Sequence, residues 1–170
     1  NPGWARANGY KGTRGENGFI TVLQQPGAGN SLGMMKLDMP NPHAIFLHDT
    51  PNRNLFNNDQ RALSHGCIRT ERALELAMTI AILGQGASKE EAVEIARSGE
   101  YTRVPVTRSM PVYITYFTMA RDIDGELRTF DDIYGRDAPV LAALKAPRVE
   151  QRQRTTDEEL IVIEDDLQTT

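Results

Sequence analysis

A stripe of apolar residues at helical spacing restricts the fold of this chain more than any other feature of the sequence. Between residues 70 and 83 the apolar side chains recur on one face of a helix. They are Ala73, Leu74, Ala77, Met78, Ala81 and Ile82. A second helix is predicted over residues 89–98, because Ser88 and Glu91 have the spacing of a capping box and Gly99 can end the last turn.

Much of the remaining chain has the pattern of short strands separated by turns. Residues 19–24 alternate between apolar and polar side chains, and residues 44–48 form a short apolar run that ends at a polar turn. Residues 111–119 alternate and are rich in β-branched and aromatic side chains. The dipeptide Asp124-Gly125 predicts a hairpin turn, followed by a partner strand at residues 126–130.

The end of the chain differs in composition from the rest. A short helix is predicted over residues 138–144, after which the sequence becomes polar and charged. Residues 155–170 hold six acidic and no basic residues, so residues 1–154 carry 19 basic and 17 acidic groups. Residues 148–170 are therefore predicted to form a largely disordered acidic tail. The nearly neutral body argues against nucleic acid binding, which needs a concentrated basic face.

The length and composition fit one globular domain. The chain has 170 residues, of which 39% are hydrophobic and 25% charged, and this is enough to bury a core. No run approaches the roughly 18 to 20 consecutive apolar residues that a membrane span requires. Because the chain begins at Asn1 rather than with Met and a signal-like segment, we expect it to be a processed or excised piece of a longer protein.

Cys67 is the single cysteine of the sequence, so it can form neither an internal disulfide nor a zinc finger. A lone cysteine is usually a small buried apolar residue. Here, however, Cys67 is placed between a loop and the predicted helix, where the free amides of a helix start stabilise a thiolate. Gly66 permits close approach of a substrate, and the amides around Gly66 and Cys67 can bind the oxyanion of a tetrahedral intermediate. The segment therefore favours a nucleophilic cysteine.

Two histidines are candidates for the base that takes the thiol proton, because neutral imidazole can accept a proton near neutral pH. His65 lies two residues before Cys67, where an extended turn constrains the ring poorly. His48 lies at the end of a predicted strand, where a sheet can hold it opposite the cysteine. The residues alone leave both open and favour His48.

These segments resemble a known enzyme family. Two of them carry the resemblance: Phe46-Leu-His48-Asp-Thr-Pro51 and Arg61-Ala-Leu-Ser-His-Gly-Cys67-Ile-Arg69. Three more have counterparts in the family: Gly27–Gly33, Pro111–Phe117 and Asp132–Arg136. The chain thus resembles the YkuD-type L,D-transpeptidase catalytic domain over roughly residues 20 to 137, and is most similar to the larger Gram-negative periplasmic branch.

The resemblance implies an α+β fold that is β-rich, with a mixed sheet or β-sandwich and a few helices. It implies that residues 1–18 are the end of a capping segment over the site, that residues 19–147 are the catalytic domain, and that residues 148–170 are the tail. It also implies roles for seven residues. Cys67 is the nucleophile and His48 its base, held by a carbonyl near Asp49; His65 and Gly66 shape the oxyanion pocket with Asp49; Arg69 and Ser64 contribute to substrate binding. A salt bridge at the helix start is an equal alternative for Arg69.

The implied reaction makes 3-3 cross-links in peptidoglycan through a cysteine thioester, with tetrapeptide stems as donor and acceptor. No cofactor or metal is expected, carbapenems are expected to acylate the thiol, and the implied location is the periplasm. The alternatives are an L,D-carboxypeptidase, a transpeptidase that attaches an envelope protein to peptidoglycan, and a catalytically silent wall-binding module. A metal site built from His43, His48, His65 and Cys67 is a weaker alternative.

Overall fold

The protein is described from a computed structural model, which describes residues 1–147. The predicted tail at residues 148–170 lies outside the described residues. Residues 1–110 form one compact unit, and residues 111–147 belong to a second. All the candidate site residues lie in the first unit.

The first unit begins with a helix and a hairpin. Helix α1 spans Pro2–Ala7 and is capped by the side chain of Asn1, which accepts from the amides of Gly3 and Trp4. Strand β1 (Tyr10–Arg14) then pairs antiparallel with β2 (Ile20–Gln24). The strand predicted at residues 19–24 is therefore confirmed to within one residue. Helix α1 and strand β1 were not predicted, because glycines and asparagines in this segment gave it the composition of turns.

The central sheet has three short strands: β3 (Lys36–Leu37), β4 (Leu47–His48) and β5 (Ile68–Arg69). Strand β3 is antiparallel to β4, and β4 is parallel to β5. The sheet is therefore mixed, and the predicted α+β class is confirmed. Strand β4 starts later than the predicted 44–48, because Ala44 has a φ of +52°, outside the range of a strand residue.

Two helices follow the sheet and pack against each other: α2 (Ala73–Leu83) and α3 (Lys89–Ser98). Their buried apolar residues are Ala73 and Ala92, one on each helix. Ser88 and Glu91 form the predicted capping box. A short 3-10 helix at Arg53–Asn57 lies between β4 and β5 in sequence.

The second unit contains a hairpin and a helix. Strand β6 (Met119–Arg121) pairs antiparallel with β7 (Leu127–Thr129) around the predicted turn, so the first strand of the hairpin begins only at the last residue of the predicted range 111–119. Helix α4 spans Asp137–Lys145. The carboxylate of Asp132 accepts from the amides of Arg136 and Asp137 at the start of α4 and from the Tyr116 hydroxyl. These hydrogen bonds hold the pKa of Asp132 below its usual range.

Candidate active site

Parallel pairing of β4 with β5 brings the histidine and cysteine segments together. The amide of Ile68 donates to the carbonyl of Phe46 at 3.0 Å, and the amide of Thr70 donates to the carbonyl of His48 at 2.8 Å. The paired residues are Leu47 with Ile68 and His48 with Arg69. Residues 48 and 69 are thus neighbours in space although 21 positions separate them in sequence.

The register also determines which side chains share a face of the sheet. Paired residues lie on the same face, and side chains alternate along each strand. Continuing the register by one residue sets Cys67 beside Phe46, so the face that carries His48 and Arg69 also carries Phe46 and Cys67. The rings of Phe46 and His48 meet edge to face with centroids 5.7 Å apart, as expected for side chains on one face. His48 and Cys67 therefore occupy diagonal positions on this face.

His48 is held as a single tautomer by its neighbour. Its ring is buried, and Nδ1 lies 2.5 Å from the backbone carbonyl oxygen of Asp49. Since a carbonyl can only accept, Nδ1 carries the hydrogen and Nε2 has the free lone pair. The contact that the family resemblance implied near Asp49 is thus present. A neutral imidazole with this tautomer can accept a proton at Nε2.

The side chain of Asp49 faces the protein interior rather than a substrate. Its carboxylate is 1% exposed; Oδ2 accepts from the amide of Met34 at 2.8 Å, and Oδ1 lies 2.7 Å from Nη2 of Arg53. The amide of Asp49 donates to the carbonyl of Met35 at 2.9 Å. These contacts connect residues 33–35 to the backbone that holds the His48 ring. Asp49 therefore shapes the site indirectly. Its contacts fix its backbone carbonyl, and this carbonyl holds the His48 ring.

The turn that carries Cys67 is closed by Ser64. The Ser64 hydroxyl donates to the carbonyl of Cys67 at 2.7 Å and accepts from the amide of Gly66 at 3.4 Å. Within residues 1–147 the amide of Cys67 has no hydrogen-bond partner. It is therefore available to bind an oxyanion.

Three further charged or ionisable side chains lie on this turn or on the strands of the central sheet. His65 is exposed on it. Arg69 is half-buried, and the described residues include no ion-pair partner for its guanidinium. Lys36 is the register partner of His48 on β3, pairs with Asp38 at 2.9 Å and lies 4.8 Å from the centre of the Phe46 ring. Two cations, Lys36 and Arg69, therefore flank His48 on neighbouring strands.

The predicted position of Cys67 at a helix start is wrong. Helix α2 begins only at Ala73, after the left-handed residue Arg72, and β5 lies between it and the cysteine. The field of a helix end acts over about one turn, so α2 does not stabilise a thiolate at residue 67. The reason for the error is that Ile68 and Arg69 pair with β4, so the helix starts at the first residue of its apolar stripe.

Comparison with known proteins agrees with this geometry. Residues 1–114 match the YkuD family, the L,D-transpeptidase catalytic domain. The chain belongs to this L,D-transpeptidase catalytic domain family. The sequence-based assignment is therefore confirmed, and the seven candidate residues lie within the matched range.

One curated relative comes from Haemophilus influenzae and is named "Putative L,D-transpeptidase". It is 36% identical over 125 residues, which cover 74% of this chain and 25% of the relative. The chain thus spans about a quarter of the length of the relative that it matches. Within residues 1–147, no helix has both the length and the apolar character to cross a membrane.

Two features of this L,D-transpeptidase domain were missed by sequence reasoning about the site. Asn41 makes four hydrogen bonds to the backbone of residues 39–45. Its position between Pro40 and Pro42 is a turn signal, which indicates a loop at this point of the chain. The second feature is the packing of Gly33 against Asp49, for which the sequence contains no local signal.

A cavity of about 500 Å³ lies elsewhere in the first unit of the L,D-transpeptidase domain, between the segment 23–38 and helices α2 and α3. Its lining includes neither Cys67 nor His48. The cavity is therefore separate from the face that carries the candidate nucleophile and base.

The described part of the L,D-transpeptidase domain contains no cluster of side chains that could bind a metal ion. In residues 1–147 no three His, Cys, Asp or Glu side chains converge as metal ligands. The alternative site composed of His43, His48, His65 and Cys67 therefore lacks the required geometry.

Proposed function

We propose that this chain is the catalytic part of an enzyme that forms 3-3 cross-links in peptidoglycan, with Cys67 as nucleophile and His48 as base. The observation that carries the proposal is the β4–β5 register, which, continued by one residue, puts Cys67 on the face of His48, together with the Nδ1 hydrogen bond that leaves the lone pair of His48 at Nε2. Membership of the L,D-transpeptidase catalytic domain family supports the same chemistry.

In the first half of the proposed reaction, the Cys67 proton moves to Nε2 of His48 and the sulfur attacks a carbonyl carbon of the donor. That carbonyl joins an L-centre to the terminal D-Ala of a tetrapeptide stem. The negative charge on its oxygen is bound by the free amide of Cys67. The C–N bond then breaks, His48 gives the proton to the leaving amine of D-Ala, and a thioester remains on Cys67.

In the second half, the side-chain amine of a diamino acid on a neighbouring stem attacks the thioester. His48 takes a proton from this amine, a new amide bond forms, and the Cys67 sulfur leaves and recovers its proton from His48. The product is a 3-3 cross-link, and no redox partner or cofactor takes part.

Four more residues have proposed roles around this centre. Arg69 binds a substrate carboxylate, because its guanidinium is half-buried beside His48 and can form paired hydrogen bonds. Ser64 supports binding because its hydroxyl donates to the Cys67 carbonyl and so restrains the Cys67 backbone, which carries the free amide. His65 and Gly66 shape the oxyanion pocket from the exposed side of the same turn.

The choice of acceptor separates the first two alternatives from the main proposal. Water attacking the thioester makes the enzyme an L,D-carboxypeptidase, and an amine of an envelope protein attaches that protein to peptidoglycan. Incubating the protein with a tetrapeptide stem and analysing the products by mass spectrometry distinguishes the stem amine from water as acceptor. A cross-linked dimer supports the proposal, whereas loss of D-Ala with no dimer indicates the carboxypeptidase.

The proposed location is the periplasm, because peptidoglycan is the proposed substrate and lies in that compartment. Peptidoglycan stems are the proposed partners, and carbapenems are proposed covalent inhibitors of the Cys67 thiolate. A third alternative, a wall-binding module without activity, uses the same face but needs no reactive thiol.

The acyl-enzyme is tested by intact mass spectrometry after incubation with a carbapenem. Opening of the β-lactam ring releases no leaving group, so we expect a single adduct with the full mass of the drug. The Cys67→Ala variant should form no adduct. The His48→Ala variant should react about 100-fold more slowly, which is the usual contribution of a general base.

The control for the histidine variant is His43→Ala, since the side chain of His43 is exposed and takes part in no described contact. It should react at the parent rate. A folded parent chain that forms no adduct contradicts the acyl-enzyme proposal and favours the wall-binding module.

A further inference from the structure

We propose that Asn41 is a positioning residue for the Cys67 thiol, acting through Ile45 and Gly66 without touching substrate; this inference rests on the proposed function. The side chain of Asn41 is part-buried in the loop that precedes β4. The reaction proposed above assigns no role to the four hydrogen bonds of this side chain.

The amide group of Asn41 uses its whole hydrogen-bonding capacity on nearby backbone. Oδ1 accepts from the amides of His43 and Ile45, both at 3.1 Å. Nδ2 donates to the carbonyls of Met39 at 2.8 Å and Ile45 at 2.7 Å. Two lone pairs and two hydrogens are thereby occupied, which is the maximum for an asparagine side chain. Both backbone groups of Ile45 are held by the same side chain.

The loop held by the Asn41 side chain has a backbone conformation that needs these hydrogen bonds. Ala44 has a φ of +52°, in the left-handed region that residues with a Cβ rarely adopt. Such conformations persist where surrounding contacts enforce them, and they concentrate at functional sites. Here the enforcing contacts are the hydrogen bonds of Asn41 to the residues on both sides of Ala44.

Ile45 transmits this constraint to the cysteine turn. A Cβ built on Gly66 would lie 3.5 Å from Cγ1 of Ile45, so the Ile45 side chain lies beside Gly66. Gly66 is the residue before Cys67, and the amide of Cys67 follows it. The next residue after Ile45 is Phe46, whose carbonyl accepts from Ile68 in the β4–β5 pairing. A shift of Ile45 therefore moves the cysteine turn and the start of β4 together.

The test compares three variants by the rate of carbapenem acylation at a temperature where circular dichroism shows each to be folded. Asn41→Ala should react about tenfold more slowly than the parent, because a displacement of the order of 1 Å at reacting atoms lowers rates by about 10- to 100-fold. Ser98→Ala is the matched control. The Ser98 hydroxyl also holds nearby backbone, donating to the carbonyl of Ile95 at 2.8 Å and accepting from the amide of Glu100 at 3.1 Å, but at the end of α3. Its rate should stay within twofold of the parent.

The third variant separates positioning from simple destabilisation. The double variant Asn41→Ala/Ala44→Gly should react at least threefold faster than Asn41→Ala alone, since glycine adopts a positive φ without a Cβ clash. The proposal is overturned if folded Asn41→Ala reacts within twofold of the parent, if Ser98→Ala loses as much, or if Ala44→Gly restores nothing. If Asn41→Ala does not fold, Asn41→Asp, which keeps both accepting contacts, is measured against the same limits.

Failure of the proposed function is recognised separately. If the parent forms no carbapenem adduct, the pH dependence of Cys67 alkylation by iodoacetamide is compared between parent and Asn41→Ala. A changed profile supports the positioning role, because it reports the arrangement of the thiol and its base. Superimposable profiles overturn it, whatever the natural substrate is.

Discussion

At the scale of single residues, the contact between Gly33 and Asp49 controls the position of the proposed base. Gly33 has a φ of +61°, and a Cβ built on it would lie 2.3 Å from Oδ2 of Asp49. The buried carboxylate thus occupies the space that any other residue at position 33 would need. The carbonyl of Asp49 orients the His48 ring. The packing of Gly33 against Asp49 therefore affects His48 through Asp49 alone.

Replacing Gly33 with alanine should therefore lower the free energy of unfolding by more than the cost of placing a Cβ on a residue with positive φ. Gly99 is a suitable control, since it has a φ of +66° but no atom within 4 Å of a built Cβ. We expect Gly99→Ala to cost about 1 kcal/mol in free energy of unfolding, and Gly33→Ala about 2–4 kcal/mol. Urea denaturation measures both. Equal costs would show that the Asp49 carboxylate moves aside without penalty.

At the scale of elements, the cysteine is presented by a two-residue strand and not by a helix. Pairing of β5 with β4 brings Cys67 onto the face of His48, whereas α2 begins six residues later. The helices α2 and α3 instead support the unit through their mutual packing and their caps.

The capping box of α3 should make part of the stability depend on pH. The backbone amide and the hydroxyl of Ser88 hold the pKa of Glu91 below its usual range. Since this pKa is lower in the folded state than in the unfolded state, the stabilisation is fully present above the unfolded value of about 4.3 and is lost as the pH falls through the folded value. The thermal stability gap between the parent and Glu91→Gln should therefore shrink from pH 7 to pH 3. A gap of the same size at both pH values would contradict this assignment.

At the scale of the whole molecule, the chain is a family catalytic domain that corresponds to a quarter of the length of its curated relative. The family match ends at residue 114, close to the boundary between the two compact units at residues 110 and 111. The predicted division into residues 1–18, 19–147 and 148–170 stays a prediction.

The family resemblance predicts that the protein works without a bound metal ion. The described His, Cys, Asp and Glu side chains form no group of three that could hold one. Treatment with EDTA followed by gel filtration should leave the rate of carbapenem acylation unchanged, and elemental analysis should find far less than one zinc per chain. One zinc per chain that disappears in Cys67→Ala would instead revive the metal-site alternative.

The sequence by itself determined the elements that depend on neighbouring residues. The apolar stripe of α2, the capping box of α3 and the Asp124-Gly125 turn are short-range signals, and each led to an element that the structure contains. The motifs around His48 and Cys67 led to the family, because the spacing of these residue types is specific.

Only the tertiary structure decided how these residues meet. The strands that join His48 to the cysteine segment are two residues long, too short to show any periodicity, and their pairing spans 21 positions. The tautomer of His48 and the burial of Asp49 against Gly33 depend on contacts with backbone groups, for which the sequence contains no local signal. Local patterns thus determine which elements form, whereas long-range backbone hydrogen bonds determine the geometry of the site.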